Sequence, residues 1–227
     1  MVRRKKQIKN TTMRYLITKL SPRSSISEQY RTVRTNIQFS SVGEDVKTIL
    51  VTSASPGEGK SMTAANLAVV YAQQGKSVLL IDADLRKPTV HYTFRVDNSR
   101  GLSNILAGGA TLVEAVITSE VENLNILTSG PIPPNPSELL ASKRMNALIE
   151  EARHFYDIIL FDTPPILVVT DAQILANICD GSVLVVRSKC TEFDPAQKAI
   201  EVLNAAEGKI LGAILNDSDK KESDYYN

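Results

Sequence analysis

Apolar residues recur along the chain at two different spacings. Between residues 27 and 39 they fall at Tyr30, Val33, Ile37 and Phe39, mostly three or four apart, which predicts a helix with Ser25 or Ser27 as its N-cap. From residue 48 the pattern changes to short apolar runs, each closed by turn residues and followed by a helical stretch. The runs 48–53, 77–83, 123–129, 157–162, 181–187 and 209–215 read as strands, and the stretches 61–74, 143–153, 171–178 and 195–206 as helices. Several runs are apolar throughout, as expected of strands covered on both faces. Alternating β and α elements with buried strands predict an α/β fold, doubly wound around a mainly parallel sheet. The stretch 130–142, with Pro131, Pro133, Pro134 and Pro136, reads as a rigid strand-to-helix connection. Loops of that kind border ligand sites beyond the carboxyl ends of such sheets.

Composition narrows the picture. A chain of 227 residues, 43% hydrophobic and 22% charged, buries a single core, which excludes disorder over most of its length. No window approaches the 18 or so unbroken apolar residues of a membrane span, and no apolar segment of signal-peptide type follows the N-terminal charges, so a cytoplasmic location is expected. Cys179 and Cys190 form no CxxC pair and His91 and His154 lie at no ligand-like spacing, so neither zinc nor thiol chemistry is indicated.

The net charge of +1 conceals an asymmetry. Arg3, Arg4, Lys5, Lys6, Lys9, Arg14, Lys19 and Arg23 precede the first acid, Glu28, and leave the remainder with 18 basic against 25 acidic residues, a net −7. Such an arm, residues 1–24, is a solvated tail, a contact for an anionic membrane surface or partner, or a nucleic-acid contact. It lacks the interleaved aromatics of nucleic-acid binding, so no nucleic-acid partner is expected.

Chemistry concentrates at three predicted strand ends. After the first strand, Ala54-Ser55-Pro56-Gly57-Glu58-Gly59-Lys60-Ser61 matches the phosphate-loop pattern GxxxxGK[ST], except that Ala54 replaces the first glycine. Glycines let backbone N–H groups wrap phosphate oxygens, a lysine reaches the β- and γ-phosphates, and a hydroxyl suits Mg²⁺. An ordinary glycine-rich turn is the plain alternative; a strand before and a helix after favour nucleotide binding. The run ending Asp82-Ala83-Asp84-Leu85-Arg86-Lys87-Pro88 delivers two carboxylates and two cations, and Phe161-Asp162-Thr163-Pro164-Pro165 a third carboxylate. Hard oxygen ligands at strand ends suit Mg²⁺ beside substrate phosphates. Three acids exceed what one metal needs, so Asp82 or Asp84 is a candidate base. Alternatively one of the two caps a helix or pairs with Arg86.

Together the phosphate loop, DADLRKP, FDTPP, GPIPPNPSELL and the segment Glu28-Gln29-Tyr30-Arg31-Thr32-Val33-Arg34 resemble the bacterial tyrosine kinases of capsule and exopolysaccharide synthesis, from about residue 24 to the end. Related ATPases of chromosome partition and division-site placement carry a second lysine where Ser55 stands. The resemblance implies a division into the basic arm 1–24, a kinase domain 25–216 with Walker A, A′ and B motifs, and a tyrosine-bearing tail 217–227. It implies ATP and Mg²⁺ as cofactors, with Ser55, Pro56, Gly57, Glu58, Gly59, Lys60, Ser61, Met62 and Asn216 at the nucleotide, and Ser61, Asp84 and Asp162 at the metal. Lys60, Asp82 and Asp84 would serve phosphotransfer, with Asp82 as the base that takes the tyrosine proton.

The same resemblance assigns Glu28, Arg31 and Arg34 to an ExxRxxR motif that joins subunits into a ring; a solvated helix with internal ion pairs is the plain alternative. The acceptor is expected to be Tyr225 or Tyr226 of a neighbour, since nine residues after the last predicted strand reach roughly 30 Å. A transmembrane adaptor is the implied partner, recruiting the kinase to the inner face of the membrane, and tyrosine-bearing proteins are the implied substrates. A partition-type ATPase and a nucleotide-gated scaffold are the competing functions.

Overall fold

Residues 16–40 and 46–218 are described by the computed structural model. Side-chain alternation within the buried strands decides its architecture. In β1 (Thr48–Ser53), Ile49 and Val51 enter one core and Leu50 the other. In β2 (Val78–Asp82) the split is Val78 and Leu80 against Leu79 and Ile81, and in β5 (Ile158–Asp162) it is Ile158 and Leu160 against Ile159 and Phe161. A period of two with both phases apolar requires a cover on each face, and the chain supplies one.

The first cover is α3 (Lys60–Ala72), overlain by α1 (Ile17–Leu20) and α2 (Ser25–Ser40). From Thr63 to Ala72 every residue of α3 is buried, because the sheet takes one side and the other two helices take the rest. The opposite cover comes from α5 (Leu102–Ala107), α6 (Leu112–Ala115), α7 (Pro136–Leu140), α8 (Lys143–Phe155), α9 (Asp171–Ala176) and α10 (Phe193–Ala205), which bury Leu106, Leu140, Leu148, Leu175 and Leu203 among others.

With β3 (Ile117–Thr118), β4 (Leu124–Leu127), β6 (Gly181–Arg187) and β7 (Ile210–Asn216), the sheet runs β3-β4-β2-β5-β1-β6-β7. Every pairing is parallel except β3 with β4. The doubly wound, mainly parallel α/β reading of the sequence is therefore the observed fold. Because β1 lies between β5 and β6, its following loop opens where the chain turns to either side of the sheet, the usual place for a ligand.

Three differences from the sequence reading stand out. Residues 84–123 gave no predicted element but hold α4 (Val90–Phe94), α5, α6 and β3, each too short for a periodicity to emerge. Inside the proline-rich connection lies α7, started by Pro136 at its first turn, where a missing N–H costs nothing. Residues 16–24, counted into the basic arm by charge, are docked. Leu16 is buried, the Thr18 N–H and hydroxyl both donate to Asn66 Oδ1 (3.1 and 2.8 Å), and Gln73 Nε2 donates to the Thr18 carbonyl (2.9 Å). Their cue was polar pairing, which a charge count does not register. Among the described residues no helix is long and apolar enough to cross a membrane.

Candidate functional site

The loop between β1 and α3 is shaped by two glycines. Gly57 and Gly59 have φ of +84° and +96°, the left-handed region open to glycine at little cost. A Cβ on Gly59 would also stand 2.0 Å from Asn216 Nδ2. Position 54, where the motif has its first glycine, is fully buried and has no positive φ, so alanine fits. Behind the loop, Glu58 is buried and accepts from the Ser55 N–H (3.1 Å) and the Thr191 hydroxyl (2.6 Å), while its carbonyl accepts from Asn216 Nδ2 (3.0 Å). The loop is thus braced from the end of β7 and the β6–α10 connection. Its backbone leads into the first turn of α3, whose free N–H groups and dipole favour an anion.

Adjacent strand ends bring the acids in. Asp82 on β2 is in register with Asp162 on β5, and both are fully buried. Lys60 Nζ lies 3.2 Å from Asp84 Oδ2, 3.4 Å from Asp162 Oδ1 and 3.3 Å from Ser61 Oγ. Burial alone would weaken its proton affinity, but the charges of Asp162 and Asp84 outweigh that and hold the ammonium above its ordinary range. Asp162 is pushed up by burial despite Lys60. Its Oδ2 is buried with no partner among the described residues, while its Oδ1 and the Ser61 hydroxyl share Lys60 Nζ (3.4 and 3.3 Å). An orphaned carboxylate oxygen beside a hydroxyl and a second carboxylate, Asp84, is a donor set that suits a hard divalent cation.

Asp82 and Asp84 do different things. Asp82 Oδ2 accepts from the N–H groups of Thr89 and Val90, both at 2.9 Å, and so caps α4; Oδ1 accepts from the Asp84 N–H at 3.3 Å. The capping alternative left open by the sequence therefore describes Asp82's present contacts. Burial and the neighbouring Asp162 raise its pKa to about 7 against the pull of those N–H groups. Asp84 faces the cavity, its Oδ1 accepting from the Lys87 N–H (3.0 Å). Arg86 pairs with neither: it forks onto Asp171 (Nε–Oδ2 2.9 Å, Nη2–Oδ1 3.0 Å), which also accepts from the Ser137 hydroxyl (2.8 Å). That bidentate pair ties the loop after β2 to α7 and α9.

One cavity of about 420 Å³ gathers Pro56, Gly57, Gly59, Lys60, Ser61, Met62 and Asp84, with Arg86, Lys87 and Thr89 from the loop after β2 and Pro164, Pro165, Val168 and Val169 from the loop after β5. Ser55 and Glu58 line a smaller cavity of about 270 Å³ behind the loop, with Arg187, Cys190 and Thr191. Of the expected site residues, Asp82 and Asp162 are fully buried and do not line the larger cavity, and Asn216 lies behind the loop on the Glu58 carbonyl. The ExxRxxR residues sit apart on α2. Glu28 and Arg31 form an ion pair with each other, Arg31 Nη2 donates to the Pro22 carbonyl (2.7 Å) and Arg34 Nη1 to the Val70 carbonyl (2.8 Å). Tyr225 and Tyr226 lie outside the described residues. Asp171 and Thr191, which position the site, carried no sequence signal: each is an ordinary polar residue whose partner lies 85 or 133 positions away.

Residues 46–207 match the family model described as an AAA domain. The chain is 57% identical over 213 residues, 93% of its own length and 90% of the relative's, to the tyrosine-protein kinase YwqD of Bacillus subtilis (strain 168). Among solved structures it resembles the chimerical protein CapA2B2, with a TM-score of 0.87, 44% identity and 90% coverage of each chain. It also resembles, at TM-score 0.67, 28% identity and 78% coverage of this chain and 72% of the other, the septum site-determining protein MinD of Pyrococcus horikoshii OT3 complexed with Mg-ADP.

Proposed function

The chain belongs to the bacterial tyrosine-protein kinases, and we propose that it transfers the γ-phosphate of ATP to Tyr225 and Tyr226 of a neighbouring subunit. The observation that carries this reading is the convergence of Lys60, Ser61 and Asp84 on one cavity at the mouth of a braced phosphate loop, with the buried Asp162 reaching Lys60 Nζ from behind (3.4 Å). Gly57, Gly59 and the start of α3 would hold the phosphates, with Lys60 exchanging its carboxylate partners for phosphate oxygens. Ser61, Asp84 and Asp162 would hold Mg²⁺, a role supported by the orphaned Asp162 oxygen and by the Mg-ADP complex of the septum site-determining relative. When bound, that ion neutralises charge on the β- and γ-phosphates.

In the transfer, the tyrosine oxygen forms a bond to the γ-phosphorus as the bond to the bridging β–γ oxygen breaks, and ADP departs with that electron pair. The phenolic proton, normally held to a pKa of about 10, goes to a carboxylate. A raised pKa suits Asp82 for this task, through Oδ1, whose only hydrogen bond among the described residues is the long one from the Asp84 N–H. Asp82 is fully buried here, so the acceptor meets it once Lys60 and Asp84 have turned toward nucleotide and metal.

The wider assignment rests on the family. The kinase unit spans 25–216, with 16–24 docked onto it and the tyrosine-bearing tail beyond. A transmembrane adaptor recruits it to the inner face of the membrane, Glu28, Arg31 and Arg34 join subunits into a ring once their present intramolecular contacts are exchanged, and phosphate cycling on the tail regulates capsule or exopolysaccharide synthesis. The likeness to the septum site-determining protein supports a second reading, a nucleotide hydrolase that labels no protein. Incubation with γ-labelled ATP and Mg²⁺ separates the two. Label in wild type, lost in Asp82→Asn and in Tyr225→Phe/Tyr226→Phe, is expected; free phosphate with unlabelled protein would favour the hydrolase.

A further inference from the structure

Three cations line the larger cavity, and two are already committed. Lys60 is paired with Asp84 and Asp162, and Arg86 with Asp171. Lys87, by contrast, has an exposed side chain with no ion pair among the described residues. Its place is fixed all the same, because its N–H closes a turn onto Asp84 Oδ1 (3.0 Å). Beside it the cavity has an apolar side of Pro164, Pro165, Val168 and Val169, with Val168 58% exposed although large and aliphatic. An uncommitted ammonium three residues from a site carboxylate, next to an exposed apolar wall, fits a ligand with one aromatic group and one neighbouring acid.

Such a segment exists in this chain. Residues 222–226 read Glu222-Ser223-Asp224-Tyr225-Tyr226, an acid immediately before the first tyrosine. We infer that Lys87 selects the acceptor: it pairs with Asp224 of a neighbouring copy while the ring of Tyr225 rests on Pro164, Pro165 and Val168. The inference rests on the tail being the acceptor and adds which residue of the kinase reads it and in what register. With Tyr225 at the site, Asp224 is one Cα step of 3.8 Å away, within reach of a lysine anchored beside Asp84. With Tyr226 there, the acid lies two residues back, on the same side of an extended chain as the ring and so toward the apolar wall, whereas with Tyr225 there it turns to the opposite side, toward Lys87. Lys87 therefore favours Tyr225 over Tyr226.

The test uses full chains in two roles. Donors carry Tyr225→Phe/Tyr226→Phe, with Lys87 intact, Lys87→Gln or Lys87→Glu. Acceptors carry Lys60→Met, with the tail intact or Asp224→Lys. Initial rates and phosphosite ratios are read at 0.05 and 0.5 M salt. With the Lys87 donor, the Asp224→Lys acceptor should show a KM raised about fivefold, the scale of one solvent-exposed charge pair, and the Tyr225 to Tyr226 ratio should fall. The Lys87→Glu donor should reverse the preference, Lys87→Gln should abolish it, and high salt should shrink every difference. If the tail is labelled but Lys87→Gln and Lys87→Glu donors treat both acceptors as the Lys87 donor does, the inference fails and the kinase reading stands. If the Lys87 donor labels no tail, both fail.

Discussion

Removing Arg86 tests whether the loop that carries Asp84 is held from outside the site. Its guanidinium forks onto Asp171, whose side chain is fully buried, while the Arg86 side chain itself is 39% exposed. In Arg86→Ala, Asp171 keeps, among the described residues, the Ser137 hydroxyl alone as a side-chain partner, so a buried carboxylate loses its counter-charge. Fully buried pairs broken in this way cost about 3–5 kcal/mol, and solvent around Arg86 lowers this to about 2 kcal/mol. For a chain of this size that corresponds to a fall of about 4–8 °C in Tm. Asp171→Asn in the same chain removes the stranded charge, so the double variant should recover roughly half the loss. Arg86→Lys keeps the charge without the fork and should fall between wild type and alanine. The assay is thermal and urea unfolding of wild type, the two Arg86 variants, Asp171→Asn alone and the double variant, with phosphotransfer alongside. Additive single effects, or an Arg86→Ala protein melting within about 1 °C of wild type, would refute the proposed coupling between the two loops.

Further expectations follow from other residues. Asp82 holds its proton more tightly in the folded than in the unfolded chain, so the metal-free protein should lose stability as pH rises from about 4 to about 7. Asp82→Asn should flatten that dependence and melt above wild type at pH 8, as calorimetry without Mg²⁺ would reveal. Gly59→Ala should cost about 2 kcal/mol, from left-handed strain and loss of the Asn216 bond to the Glu58 carbonyl, and should weaken nucleotide binding by titration calorimetry. Tyr71→Phe removes a buried hydroxyl with no partner among the described residues, so urea unfolding should show unchanged stability or a gain of about 1 kcal/mol. Lys60→Met vacates the space between Asp84, Asp162 and Ser61, so without nucleotide it should bind Mn²⁺ at least about tenfold more tightly than wild type in electron paramagnetic resonance titrations.

Legibility in the sequence followed the range of the forces involved. The central strands were readable because burial on both faces leaves an unbroken apolar run, as in Val78–Asp82 and Ile158–Asp162. The phosphate loop was readable because its geometry demands glycine at two fixed positions. Residues 84–123 were not, because their short elements depend on distant partners. Asn98 clasps Gly130 through both backbone groups (2.9 and 3.2 Å), and a Cβ on Gly101 would stand 2.2 Å from the Thr128 carbonyl. The acids were found as a group, but their separate contacts came from the fold: only the position of α4 gives Asp82 two N–H donors and leaves Asp84 at the cavity.

The most direct measurement of transfer between subunits mixes two chains, neither able to label itself. One is Lys60→Met with an intact tail, the other has an intact site and Tyr225→Phe/Tyr226→Phe. With Mg·ATP and the adaptor's cytoplasmic segment, mass spectrometry should find phosphate on Tyr225 and Tyr226 of the Lys60→Met chain only in the mixture. An unphosphorylated tail in the mixture, under conditions where wild type labels its own, would contradict transfer between subunits.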